Sequence, residues 1–200
     1  MRCQRAKRVQ RMDGIRRSLA ACFLLLSIGG ASAHPHVWVT MRCKIIFDDS
    51  GSVTALLYSW SFDEMTSAFS ALGIKSKHGI PTREELAPAA SEHIASLRQA
   101  GFFTTVQAGN ASRKLSHASD HWFAYDGTLL TLHFSLPVEP ALAPISFSIE
   151  INDPNYFVDL RFADKDPVEL VQAPSSCIPS VVRQTWTQTS NKIVVTCERT

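Results

Sequence analysis

From Val37 to Phe47 apolar and polar side chains alternate. Val37, Val39, Met41, Cys43, Ile45 and Phe47 fall on one face; Trp38, Thr40, Arg42 and Lys44 fall on the other, with His36 just before them. A period of two marks a strand with one buried face. Asp48-Asp49-Ser50-Gly51 has the composition of a hairpin turn, with Gly51 able to take the left-handed conformation that closes a short loop. If Asp48 pairs with Ser52, counting outward sets Val53 against Phe47, Ala55 against Ile45 and Leu57 against Cys43. The same count places Trp60 opposite Thr40, Phe62 opposite Trp38 and Glu64 opposite His36.

The period then changes. Phe62, Met65, Phe69 and Leu72 recur at helical spacing, with Asp63 placed to cap and Gly73 to terminate. Thr82 and Glu85 form a capping box that opens a second helix to about Gln99, stopped by Gly101, with Pro88 expected to restart or kink it. Beyond Phe102 the pattern is β: a short strand to Val106, a Gly109-Asn110 turn, and two strands, 119–125 and 128–136, around Asp126-Gly127. Ile145, Phe147, Ile149 and Ile151 alternate, the pattern breaks at Asn152-Asp153-Pro154-Asn155, and Tyr156, Val158, Leu160 and Phe162 resume it. Lys192 to Cys197 reads as a last strand. The expected fold is α+β, a mainly antiparallel sheet with two helices inserted after the first hairpin.

Residues 1–33 stand apart from this fold. Seven bases precede the apolar run Ala20 to Ile28, and Ala31-Ser32-Ala33 has the form of a signal-peptidase site. The run is too short to cross a bilayer, which takes ~20 residues. The expected division is a cleaved signal peptide, 1–33, and a single α+β periplasmic domain, 34–200. Sec and twin-arginine export stay open, since Arg16-Arg17 is present. Cleavage alters the charge. The peptide carries seven of the 20 bases and one of the 18 acids, so the mature chain has 13 bases against 17 acids, net −4. That removes the electrostatic motive for binding nucleic acid. No second apolar run is long enough for a transmembrane anchor. Of five Cys, Cys3 and Cys22 leave with the peptide, Cys177 and Cys197 are placed to pair in an oxidising compartment, and Cys43 is a buried thiol.

Cleavage before His34 also creates a chelate. A terminal His offers its α-amine and ring Nδ1, and His36 adds an imidazole two residues on, a donor set suited to Zn²⁺, Ni²⁺, Co²⁺ or Cu²⁺. Pro35 has no amide proton to lose, so the square-planar mode of a free X-X-His terminus forfeits a ligand. The metal must therefore draw on groups elsewhere, and the hairpin count brings Asp63 and Glu64 beside the mature terminus. Each of these residues has a plainer reading. His34 and His36 suit a frayed strand start, and Asp63 and Glu64 suit the first turn of a helix. His93 lies near an apolar stripe and reads as packed. His133, counted opposite Asp120, reads as half of a surface pair. Asp153 most simply starts a turn. No partnered nucleophile is evident, so no enzyme is expected.

His34-Pro35-His36-Val37-Trp38-Val39, then Trp60-x-Phe62-Asp63-Glu64, then Asp153-Pro154-x-Tyr156-Phe157-Val158 resembles an uncharacterised bacterial family identified as the periplasmic component of an ABC-type transport system. The likeness spans nearly all of residues 34–180. It implies an accessory of a transition-metal transport system, a partner of nickel/cobalt-type membrane permeases connected with zinc uptake. Position by position it covers His34, His36, Trp60, Asp63, Glu64, Asp153 and Tyr156. The chain departs from its relatives at Lys75-Ser76-Lys77-His78-Gly79, where bases stand in place of a calcium-loop-like acidic stretch.

The expectation is a periplasmic accessory that holds Zn²⁺, or Ni²⁺ or Co²⁺, through His34, His36 and Asp63 or Glu64, for a membrane permease. Its amine and rings must be neutral to bind, so affinity is expected to fall as pH drops through about 6–7. Two rivals remain. One is a copper enzyme built on the terminal His with a further donor from His133 or His121. The other is a metal-free binding or assembly module that docks through Trp38, Trp60 and Phe62.

Overall fold

The first strand, β1 (Val37–Phe47), forms where the alternation predicts it, with Val39, Met41, Cys43, Ile45 and Phe47 all buried. In the computed structural model, which describes residues 36–74, 76, 79–143, 146–183 and 190–198, it lies inside a sheet. Antiparallel β2 (Val53–Phe62) pairs with one side of β1. On the other side run, in parallel, β8 (Val158–Phe162) against its first half and β9 (Val168–Val171) against its second. Beyond β2 lie β6 (Leu130–Leu142) and β5 (Asp120–Tyr125), giving the order β5-β6-β2-β1-β8 with β9 also on β1. A second sheet runs β10 (Cys177–Val182), β11 (Asn191–Cys197), β7 (Phe147–Ile151), β3 (Thr104–Ala108) and β4 (Ala111–Lys114). The expected single sheet is thus two sheets, and the first is mixed. The class remains α+β with mainly antiparallel pairing.

The hairpin turn forms as counted, and the register beyond it does not. Asp48 pairs with Ser52 and Phe47 with Val53, but Ile46 then faces Ala55, so Thr54 is one residue too many. Such a bulge displaces every later residue by one and exchanges the faces of the strand. Leu56, Tyr58, Trp60 and Phe62 turn inward, with Trp60 opposite Met41 and Phe62 opposite Val39. The second count errs by two. Asp126 accepts hydrogen bonds from the amides of Thr128 and Leu129, which lengthens the loop and puts Trp122, not Asp120, opposite His133. An even slip preserves the faces, and Leu130, Leu132, Phe134 and Leu136 are buried as expected.

Two helices follow the first hairpin. Short α1 (Glu64–Ala71) is capped by Asp63, and α2 (Arg83–Gln99) begins with the reciprocal Thr82/Glu85 box and passes through Pro88 without ending. Helix α2 buries Leu86, Ala90, Ile94 and Leu97. It lies beside the second sheet on the inner face of the first: Phe62 meets His93 of α2, while Phe47 meets Phe147 of β7. His93 also contacts Phe123, and burial lowers its pKa despite nearby Glu92, so it is a packed histidine. Cys177 and Cys197 sit opposite each other on β10 and β11 and form a disulfide, a bond that persists in oxidising, exported compartments. Cys43 is free and buried, its thiol pKa pushed up to about 12 by that burial against an opposing hydrogen bond with Tyr58. Among the described residues no helix is long and apolar enough to cross a membrane.

Candidate functional site at the start of the first strand

Three distant stretches meet at one end of the first sheet, where β1 begins, β2 ends and β8 begins. The last paired residues of β1 and β2 are Val39 and Phe62, after which the Asp63 amide donates to the Trp38 carbonyl at 3.0 Å. In return the Trp38 amide donates to Asp63 Oδ2 at 3.2 Å. Asp63 Oδ1 accepts from the Thr66 amide at 2.9 Å, and Oδ2 also accepts from the Thr66 hydroxyl at 2.6 Å. Partial burial would raise the pKa of this carboxyl, but the Thr66, Trp38 and Met65 donors outweigh it and hold the pKa below the ordinary value. The three bonds from the Trp38 amide and from the Thr66 amide and hydroxyl hold the carboxylate against both elements. Asp63 ties α1 to β1.

Asp153 performs the matching task on the other side. Buried to 5% exposure, it accepts from the amides of Asn155, Phe157 and Val158 at 2.9, 3.0 and 2.9 Å. The loop so held presents the Phe157 carbonyl to the His36 amide at 2.9 Å, and the Phe157 ring lies 5.3 Å from the His36 imidazole. Asp153 starts the turn, as its plainer reading had it. Tyr156 leaves the expected strand face: it adopts φ 54° and is exposed, a conformation uncommon for aromatic residues.

The sequence-derived ligands therefore differ in their freedom. His36 is exposed at the strand entrance, and Glu64 is exposed at the first position of α1, with no hydrogen bond or ion pair among the described residues. Because of the bulge, the acid directly beside β1 is Asp63 against Trp38, in place of Glu64 against His36. His34 lies outside the described residues. Among those residues no three His, Cys, Asp or Glu side chains gather as a metal site.

The remaining histidines are elsewhere. His133 shares a hydrogen bond with Ser59 at 3.0 Å and stacks on Trp122, whose ring also lies 4.4 Å from the Arg83 guanidinium. Burial, then the Arg83 charge, lower its pKa. Ser59 faces Arg42 on β1, six residues past His36, or ~20 Å along the strand. His121 bonds to Ser91 of α2. Neither can join His36 around one copper ion. Trp60 and Phe62, at 1% and 5% exposure, cannot form a docking surface with Trp38; the bulge at Thr54 turned them inward. Sequence reasoning missed Phe157, whose carbonyl and ring both touch His36, because pairing between residues so far apart leaves no local period to read.

A family model described as "Protein of unknown function (DUF1007)" matches residues 19–194. An uncharacterised protein of Haemophilus influenzae is 21% identical over 150 residues, covering 74% of this chain and 72% of that one. Among solved structures, the AChBP of Bulinus truncatus aligns over 86% of this chain and 95% of its own at 15% identity, with a TM-score of 0.36, a likeness too slight to bear on fold or function.

Proposed function

The chain belongs to the DUF1007 family of proteins of unknown function, and on that premise we propose that it is a periplasmic metal-binding accessory of a transition-metal transport system. One observation carries this reading. The three stretches 36–39, 60–64 and 153–158 are far apart in sequence and converge on the entrance to β1, linked by Asp63–Trp38 and Phe157–His36 contacts. Two buried or half-buried aspartates are spent on fixing that entrance. Such second-layer support is what holds a ligand in place. The ligands in this reading are the His34 amine and ring, the His36 ring and the Glu64 carboxylate, with Asp63 reassigned from ligand to support. Zn²⁺ suits this nitrogen-rich set with one carboxylate, and Ni²⁺ and Co²⁺ are its competitors. The role is to hold the ion for a membrane permease; no reaction is assigned.

Melting temperature across a metal panel tests this. An ion present at about 100 times its Kd stabilises the fold by about 2.7 kcal/mol, a rise of about 5–10 °C for a domain of this size. Zn²⁺, Ni²⁺ or Co²⁺ should produce it, and Mg²⁺ should not. A flat response to every ion favours the second reading, a metal-free docking module, which retains exposed Trp38 even without Trp60 and Phe62.

A further inference from the structure

A single row of side chains crosses the outer face of the first sheet. Arg42 of β1 lies opposite Ser59 of β2, Ser59 opposite His133 of β6, and His133 opposite Trp122 of β5. Directly opposed residues stand on one face about 5 Å apart, so Arg42, Ser59 and His133 occupy about 10 Å of sheet. The imidazole is fixed twice. Its Nδ1 shares the 3.0 Å hydrogen bond with the Ser59 hydroxyl, and its plane lies 15° from that of Trp122 with the centroids 4.9 Å apart. With the Ser59 hydroxyl donating to Nδ1, the proton of the neutral ring sits on Nε2, which makes no hydrogen bond among the described residues.

Charge along this row is out of balance. Other bases on the same face have acids: Lys44 holds Glu169 at 2.8 Å, and Arg161 holds Asp159 at 2.6 Å. Arg42, exposed on β1, makes no ion pair among the described residues. Arg83 lies 4.4 Å over the Trp122 ring, also without an ion pair, and its charge adds to burial in lowering the His133 pKa. The nearest acid by register is Asp120, opposite Ser135 and two residues along β5 from Trp122. A solvated sheet face calls for polar side chains. It does not call for a histidine held in one orientation and kept neutral between guanidinium groups that lack a counter-charge.

We propose that this row binds a phosphate group, either the free ion or a monoester. Arg42 supplies a planar fork for two of its oxygens, and the His133 Nε2–H supplies a donor for a third. Ser59 is the short side chain between two long ones. It leaves room for the ligand above it and, through Nδ1, fixes the tautomer and direction of the ring as a positioning residue. Arg83 contributes its charge from beyond Trp122 without touching the ligand. A carboxylate would fill the Arg42 fork and leave Nε2 unused, so the donor set favours a group with three oxygens. The site lies ~20 Å along β1 from His36 and stands whether or not the entrance to β1 binds metal.

Calorimetric titration of the processed chain with inorganic phosphate and with glycerol 3-phosphate, at constant ionic strength in chloride, tests the proposal. Both should bind saturably, and the tighter of the two tells whether the site is built for the free ion or for an ester. Arg42→Gln should weaken binding about tenfold. His133→Phe, which keeps a ring against Trp122 and removes Nε2, should do the same. Arg83→Gln, which removes charge without a contact, should cost about threefold. Arg98→Gln deletes the same charge from an exposed position in the last turn of α2 and should bind as wild type. Arg42 is exposed, so its variant should melt with the wild type and keeps the test valid if His133→Phe misfolds. Binding of neither probe overturns the proposal. So does equal affinity of wild type and Arg42→Gln, the mark of an adventitious ion only, and so does acetate bound as tightly as phosphate.

Discussion

Replacing Asp63 with asparagine or alanine, and Glu64 with glutamine, separates the carboxylate that builds the entrance from the one free to serve it. Asparagine caps a helix about as well as aspartate, so Asp63→Asn should cost less than about 1 kcal/mol. Asp63→Ala removes the cap on Thr66, about 1 kcal/mol, and the bond to the Trp38 amide, about another 1 kcal/mol. At about 2–4 °C per kcal/mol for this size, the alanine variant should melt about 4–8 °C lower. Glu64→Gln, exposed and unbonded among the described residues, should stay within about 0.5 kcal/mol of wild type. Zinc affinity should follow the opposite order, falling about tenfold or more in Glu64→Gln and little in Asp63→Asn. The pH dependence has a defined sign. Because the folded pKa of Asp63 is depressed, chiefly by its Thr66 and Trp38 donors working against partial burial, its charge-dependent stabilisation is complete above the unfolded carboxyl pKa near ~3.9. It disappears as pH falls through the folded value. The gap between wild type and Asp63→Asn should therefore narrow from pH 7 to pH 3. Thermal unfolding by circular dichroism and zinc titration at pH 7 measure both. A Glu64→Gln protein with wild-type zinc affinity, beside an Asp63→Asn protein that melts normally and binds none, would refute the assignment.

Other consequences follow from the packing. The Cys177–Cys197 bridge closes a loop of sequence separation 20, worth about 3 kcal/mol, so Cys177→Ser/Cys197→Ser should melt about 6–12 °C lower; a melting point insensitive to the loss would contradict the bridge. Cys43, with its thiol pKa pushed up to about 12 by burial, should resist Ellman's reagent at pH 8 until the protein unfolds, and prompt labelling of the native chain would count against its buried position. Trp60→Ala should cost about 3–5 kcal/mol in chemical denaturation and Trp38→Ala less than about 1 kcal/mol, whereas the reverse ranking would restore the register without the bulge.

Local pattern carried the fold as far as local chemistry reaches. The alternation in β1 is visible because one face meets a core along its whole length, and the Thr82/Glu85 box is visible because both partners lie within one turn. The bulge at Thr54 is not, since an inserted residue leaves a strand that still alternates but on the other parity. The longer Asp126 loop did less harm because its error was even. Met65, Phe69 and Leu72, exposed along α1 and its C-cap, show the limit from another side: helical spacing locates an apolar face without saying what it faces. At the entrance to β1, the proximity of an acid to the strand was legible from the hairpin, but which acid was not. The parallel partners β8 and β9, and with them Phe157, are joined to β1 only through tertiary packing.

The chelate at the processed terminus is the claim from which the transport reading draws its strength. Calorimetric titration of zinc into the chain that begins at His34, and into the same chain preceded by one alanine, tests it most directly. The account predicts saturable binding of one ion per chain to the first protein and a loss of about tenfold or more in the second, as the ring and amine no longer share a residue. Equal affinities for the two, or no heat from either, would contradict it.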